Sequence, residues 1–295
     1  MQGIKNLIPN QEWESSYKPL TSLEKAERDA EGLNALEGKL DKSIYDCHIC
    51  KNRGYTFVVA PDDYYKSEQT YSAVHRPCSC MVIRRSITNM RNSGLEQIIN
   101  KSTFDKYEAT EFWQQKAKEK AQCFVRDIDS LEKKCFFIGG GVGSGKTHLC
   151  TAIVREFLLK GIPAKYMLWV DESQRLKTIV NEPEFEDVLE EYLKANVLYI
   201  DDLFKITRDK YGKEVFPTDA DIKLAYRIIN YRYQHDELIT IISSERFIDE
   251  IERIDSATGS RIYEMTQNDD MTVNNTLAIG RDRSRNYRLR NMEVL

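Results

Sequence analysis

At 295 residues the chain has room for one large domain or two smaller ones with a sizeable core. Its formal net charge of −4 excludes blanket coating of nucleic acid, so any such contact has to be local. No apolar run is long enough to span a bilayer and no charged-then-apolar leader opens the sequence, so a cytoplasmic protein with no membrane contact is expected. Of the seven cysteines, Cys123, Cys135 and Cys150 stand singly in apolar or helical surroundings and read as reduced core residues.

Residues 1–20 are polar and aperiodic, as a loosely held tail would be. Thr21-Ser-Leu-Glu24 has the form of a capping box, and Leu23, Ala26, Ala30, Leu33, Leu36 and Leu40 make a thin apolar stripe behind it. That stripe suits a helix packed on its own domain or one that docks a partner. The other four cysteines follow as Cys47-His-Ile-Cys50 and Cys78-Ser-Cys80. Two close thiolate pairs can complete a tetrahedral S4 site for Zn²⁺, and four protein ligands leave no open position, so its role would be structural. Disulfides are the competing reading, disfavoured by a reducing compartment. His48 and His75 could replace a ligand but read as surface residues. Tyr55–Val59 is strand-like, which suits a zinc-ribbon-like fold. A short basic helix from Met81 to Asn92 carries Arg84, Arg85 and Arg91, and Ser93-Gly94 breaks it. This places an amino-terminal domain at 1–93 and a second domain at 94–295.

The second domain opens with Ser102-Thr-Phe-Asp-Lys-Tyr107 and a charged amphipathic helix reaching about Ile128. Phe136-Phe137-Ile138 then reads as a short buried strand. Gly140, Gly141, Val142, Gly143, Ser144, Gly145, Lys146 and Thr147 fit G-x-x-x-x-G-K-[ST], with His148 next and helical spacing beyond it at Leu149, Ala152, Ile153 and Phe157. Glycines let the backbone wrap a polyphosphate, and the helix start offers unpaired N–H donors to it. Lys146 would reach the β/γ oxygens of ATP or the β-phosphate of ADP, and Thr147 would place its hydroxyl on Mg²⁺.

Pro163–Val170 is a predicted strand, and 171–195 a helical, acidic, solvated stretch. Val197-Leu-Tyr-Ile followed by Asp201 and Asp202 matches a buried parallel strand delivering carboxylates at its end. Asp201 would hold Mg²⁺ and Asp202 would polarise the attacking water. Residues 203–219 lack a period and predict a mobile loop. Its Lys205, Arg208, Lys210 and Lys213, interleaved with Tyr211, suit either single-stranded nucleic acid or plain solvation. A helix at Ala220–Tyr233, a strand at Leu238–Ser244 and a helix at Phe247–Ile254 follow. The strand's polar end could sense the γ-phosphate. Between Gly280 and Arg290 five arginines face one acid, a local positive patch.

Taken together, GGVGSGKT, VLYIDD, IISSE, GSRIYEM, the closing NYR, the Ser102–Tyr107 segment and the cysteine-rich region ahead of them resemble the DnaC/DnaI-type replicative helicase loaders of phages and bacteria. These are AAA+ ATPases of the IstB-like ATP-binding family, and the resemblance runs over essentially the whole chain. It implies an α/β fold, a parallel sheet flanked by helices, behind a small zinc-binding and helical domain. It puts Ser244, with Ser243 and Glu245 beside it, in the γ-phosphate sensor region; relatives often carry Asn where Glu245 stands. Arg261 would enter the neighbouring subunit's site, and Arg285 or Arg288 would stand near a second sensor arginine of larger relatives. No helical lid is expected after the core, so ATP turnover should be weak until subunits, partners or single-stranded DNA complete the site. The implied partners are a hexameric replicative DNA helicase gripped by the amino-terminal domain, single-stranded DNA, and further copies through the ATPase domains. A transposition-helper ATPase shares the core, and a phosphotransferase acting on a small molecule is the alternative from another class.

Overall fold

A computed structural model describes residues 20–62, 69–91, 96–268 and 274–289; the expected amino-terminal tail, the Ser93-Gly94 break and Arg290 lie outside these residues. The chain divides into two compact units, Met1–Cys78 and Ser79–Leu295.

In the first unit, α1 (Ser22–Ala35) starts at the expected capping box, where the Glu24 amide donates to Thr21 Oγ1 at 3.2 Å and the Thr21 amide to Glu24 Oε2 at 2.8 Å. The helix lies on a hairpin of β1 (Tyr55–Pro61) and β2 (Tyr71–Pro77), paired antiparallel from Tyr55 opposite Pro77 to Pro61 opposite Tyr71. Asn34 joins helix to hairpin, its side chain donating to the Phe57 carbonyl at 2.8 Å and accepting from the Phe57 amide at 2.9 Å. Only the alanines of the expected stripe are deeply buried; Leu23, Leu33 and Leu36 stay exposed. The stripe also stops short of Leu40, because Leu36 turns extended and Gly38 approaches the Asn52 backbone so closely that a Cβ would lie 2.0 Å from its carbonyl oxygen.

The second unit begins earlier than the expected boundary at residue 93. Its first helix, α2 (Cys80–Met90), packs on the sheet and on the helix after the phosphate loop, and the Ala164 amide donates to Ser86 Oγ at 3.3 Å. After α3 (Glu96–Ile99) and α4 (Phe112–Asp127) come β3 (Cys135–Gly140), α5 (Lys146–Leu159) and β4 (Ala164–Leu168). The predicted strand ends before Val170, since α6 (Trp169–Thr178) starts directly after Leu168; α7 (Phe185–Leu193) and β5 (Val197–Asp201) follow. The stretch expected to be aperiodic holds a small antiparallel hairpin, β6 (Thr207–Arg208) with β7 (Glu214–Val215), turned at Gly212 with φ +80°. Tyr211 at its tip is 82% exposed. Then come α8 (Asp219–Tyr233), β8 (Ile239–Ser244), α9 (Ile248–Ile254), α10 (Ser256–Met265) and β9 (Thr276–Ile279).

The five long strands form one parallel sheet in the order β4-β5-β8-β3-β9. Every residue of β3, β5 and β8 is buried, as strands covered by helices on both faces must be. The order puts β3 between β8 and β9 and β5 beside β8, so the ends of β3, β5 and β8 open at one edge of the sheet. An edge of this kind is where open α/β sheets bind ligands.

A buried arginine joins α7, α8 and β8. Arg232, 1% exposed, donates to the carbonyls of Tyr192, Leu193, Ala195 and Ile239 and to Thr240 Oγ1, at 2.6–3.2 Å. Burial pulls its pKa down to about 10, which still leaves it charged at neutral pH. Arg232→Met should leave those buried acceptors without a donor and lower the unfolding free energy by about 3 kcal/mol. A urea titration followed by circular dichroism reads this, and a loss below about 1 kcal/mol would contradict the role.

Candidate nucleotide and metal sites

The phosphate loop takes its shape from glycines whose conformations a side chain would resist. Gly140 has φ +116°, and a Cβ there would lie 1.9 Å from the Ile279 carbonyl oxygen of β9. Gly145, φ +85°, precedes the first turn of α5, and a Cβ on it would meet the Tyr107 ring at 2.9 Å. Lys146 folds back over the loop, its Nζ donating to the Gly140 carbonyl at 2.9 Å and the Gly141 carbonyl at 2.7 Å. Ser144 Oγ also donates to the Gly141 carbonyl, at 2.7 Å. Burial pulls the Lys146 ammonium below its usual range, an effect partly offset by the charges of Asp202, Glu245 and Asp201. A polyphosphate in the loop would supply the counter-charge that this lysine otherwise borrows from backbone carbonyls.

Asp201 lies at the carboxyl end of β5, 5% exposed, directly across from the loop. Thr147 Oγ1 donates to its Oδ1 at 3.3 Å, Ser243 Oγ donates to the same oxygen, and Tyr166 OH donates to Oδ2 at 3.1 Å. Burial and then the charge of Asp201 push the Tyr166 phenol well upward, so it remains a donor. Asp202 follows in a left-handed conformation, φ +58°, with its amide donating to Ser243 Oγ at 3.2 Å and its carboxylate paired with Lys205 at 2.6 Å.

Lys146, Thr147, Asp202 and Lys205 line a cleft of about 370 Å³, within the range of small-molecule sites, and Asp201 lies just behind it on Thr147. The loop from Val142 through Thr147 forms its floor, and Asp202, Lys205 and Glu245 close the sheet side. His148 joins the lining, its Nε2 donating to the Thr103 carbonyl at 2.9 Å. Gly140 and Gly141 lie behind the lining, where their carbonyls hold Lys146. The opposite wall comes from Ser102, Lys106, Tyr107 and Glu108, and the top from Tyr287 and Arg288. Among the described residues the buried Tyr107 hydroxyl has no hydrogen-bond partner, and burial raises its pKa to about 12.

Ser244, expected in the sensing region, lies outside the cleft, whereas Arg261 is expected at a neighbouring subunit's site and not at this one. Ser244 does not reach the cleft: its hydroxyl, fully buried, donates to the Leu203 carbonyl at 2.6 Å and accepts from the Arg246 amide at 3.0 Å. Strand alternation sends its neighbour Ser243 to Asp201 instead, and Glu245 alone of the three lines the cleft. Arg261 sits on α10 away from the cleft, between the rings of Tyr226 and Tyr233 at 5.2 and 5.5 Å, with Nε donating to Asn230 Oδ1 at 3.0 Å. Of the two closing arginines, Arg288 lines the cleft, whereas Arg285 pairs with Asp282 at 2.8 Å and lies over Trp113. The sequence reading missed Tyr166, Tyr107 as a wall residue and the whole of β9. Tyr166 has no motif around it; only the pairing of β4 with β5 brings it to Asp201.

The four clustered cysteines converge as expected. The sulfurs of Cys47, Cys50, Cys78 and Cys80, all buried and none in a disulfide, lie within 4.8 Å of one another. Neither His48 nor His75 belongs to the group. Cys47 and Cys78 sulfurs are 3.8 Å apart, and a tetrahedron with Zn–S bonds of about 2.3 Å has edges of about 3.8 Å. The turn after Cys50 holds this spacing: Lys51, Asn52 and Gly54 have φ of 47°, 62° and 85°, the Gly54 amide donates to Cys50 Sγ at 3.3 Å, and the Cys47 amide donates to the buried Asn52 side chain at 3.0 Å. The donor set fits zinc.

The family model described as IstB-like ATP binding protein matches residues 73–254, a stretch that takes in the phosphate loop, Asp201 and β8. The phage-like element PBSX protein XkdC of Bacillus subtilis (strain 168) is 32% identical over 232 residues, covering 76% of this chain and 81% of that protein. The replicative helicase loader DnaC of Escherichia coli (strain K12) is 27% identical over 152 residues, 51% of this chain and 60% of the loader. A crystal structure of the DnaC helicase loader aligns with 60% of this chain and 96% of its own, at a TM-score of 0.48 and 28% identity. With its parallel sheet, its phosphate loop and the carboxylate strand beside it, the chain belongs to the IstB-like ATP binding protein family, among the AAA+ ATPases of the DnaC type.

Proposed function

We propose that the protein is an ATP-dependent loader that places a replicative DNA helicase on single-stranded DNA in the cytoplasm of a bacterial or phage-infected cell. The observation that carries the ATPase part is the meeting of Thr147 and Ser243 on the buried Asp201 beside Lys146. The loader part is supported by family membership and by the similarity to replicative helicase loaders. ATP would lie with its phosphates in the loop, its β and γ oxygens on Lys146 and its base side toward Tyr107. Thr147 and Asp201 would hold Mg²⁺, which neutralises phosphate charge during transfer. Asp202, fixed by Lys205, would orient the attacking water, and Glu245 and Arg288 would face the γ-phosphate. Arg261 would complete the site of the next subunit, with Tyr226, Tyr233 and Asn230 setting its direction. Hydrolysis removes the charge that such an arginine pairs with, which makes nucleotide state a switch for assembly. The four thiolates would hold one structural zinc ion.

A second reading, delivery of a transposase by the same ATPase core, is equally compatible with the IstB-like family match. Affinity capture with the full-length chain in ATP separates the two. Recovery of a hexameric helicase, together with ATP turnover stimulated by single-stranded DNA, supports the loader. Recovery of a transposase without a helicase supports the other.

Lys146→Ala should weaken ATP binding about a hundredfold by calorimetry while the melting temperature holds, and unchanged affinity would refute the loop assignment. Arg261→Ala should spare nucleotide binding yet lower assembled turnover by about a thousandfold; persistent turnover would place the inserted arginine elsewhere. Metal analysis should find about one zinc per chain, released by thiol-modifying reagents with loss of the amino-terminal fold, and a folded metal-free preparation would contradict the site.

A further inference from the structure

We infer that Tyr166, a residue outside every phosphate-site motif, is a positioning residue for magnesium at this site, acting through Asp201; the inference rests on the ATPase reading above. A carboxylate has two equivalent oxygens and turns readily about its last bond. Asp201 has lost that freedom. Its Oδ1 accepts from Thr147 and Ser243, and its Oδ2 accepts from Tyr166 at 3.1 Å. The three donors come from α5, β8 and β4, so the orientation of the group is fixed by three separate elements.

Tyr166 contributes in a way that a flexible donor could not. Parallel pairing sets Tyr166 opposite Tyr199 and Leu168 opposite Asp201, so the phenol reaches one pleat forward along β5 to the carboxylate. Its ring, 7% exposed, packs on the Tyr199 ring at 5.3 Å, which leaves the hydroxyl a single position. With Oδ2 engaged from the strand side, Oδ1 is the oxygen turned toward Thr147 and the loop. The hydroxyl thereby decides which oxygen Asp201 offers to a cation shared with Thr147. Donors behind a metal-binding carboxylate commonly matter this much to affinity.

The test is Tyr166→Phe in the full-length chain, which removes one oxygen and keeps the ring. ATP binding is measured by calorimetry in EDTA and across a MgCl2 titration. The expected result is unchanged affinity in EDTA and a magnesium half-saturation raised about tenfold. In an Asp201→Asn background the same substitution should add nothing further, because its effect runs through that carboxylate. A hydroxyl that merely fills the core would lower the melting temperature, leave magnesium half-saturation where it was, and add its full effect in either background. Either of the last two results would overturn the inference. A wild-type protein whose ATP affinity ignores magnesium would overturn the ATPase reading and this inference with it. An intact wild-type response that persists in Tyr166→Phe would overturn the inference alone.

Discussion

A carboxylate buried at the end of a hydrophobic strand is unfavourable unless its oxygens are met by donors, and Asp201 is the residue on which the second unit depends. Burying an isolated charge costs several kcal/mol, so the fold has to bring hydroxyls to it. Thr147, Ser243 and Tyr166 do so from three elements, and they meet on it because β3, β4, β5 and β8 run parallel in one sheet. The arrangement ties the phosphate loop to the sheet as well. Thr147 sits one residue beyond Lys146, so a fixed Asp201 also sets the first turn of α5.

The loop is held from its other side by parts of the chain remote in sequence. The β9 strand passes so near Gly140 that only a glycine fits, and the Tyr287 amide donates to the Gly143 carbonyl at 3.0 Å. Asn286 lies against Gly143 and Arg288 reaches the cleft, so the closing segment acts as a short roof over the phosphate end. Tyr107 packs its ring on Gly145 and His148, and its hydroxyl is buried among the described residues without a hydrogen-bond partner. Loop, closing segment and Tyr107 thus give the cleft walls drawn from parts of the chain far apart in sequence.

The amino-terminal unit works by a different constraint. Its helix buries mainly two alanines against a two-stranded hairpin, a small apolar contribution for a unit of this size. Cys47, Cys50 and Cys78, three of the four clustered sulfurs, belong to this unit, and a metal bound there would supply what its core lacks. Leu23, Leu33 and Leu36 remain exposed along the helix.

The residues that announce themselves by local pattern were legible in the sequence. The phosphate loop, the Asp201 strand, the capping box at Thr21 and the cysteine pairs each owe their form to chemistry confined to a few consecutive positions, such as glycine's freedom at positive φ or the close pairing of two thiolates. Most helices and the buried strands could be read from their spacing for the same reason. The strand β9, the hairpin at Thr207–Val215, the choice of Ser243 over Ser244 and the approach of Tyr166 to Asp201 could not. Each depends on which strand lies beside which and in what register, and register is settled by long-range packing that no short stretch of sequence encodes. Chemistry that depends on neighbours in the chain was therefore determined by the amino-acid order alone, whereas chemistry that depends on neighbours in space was decided only by the folded sheet.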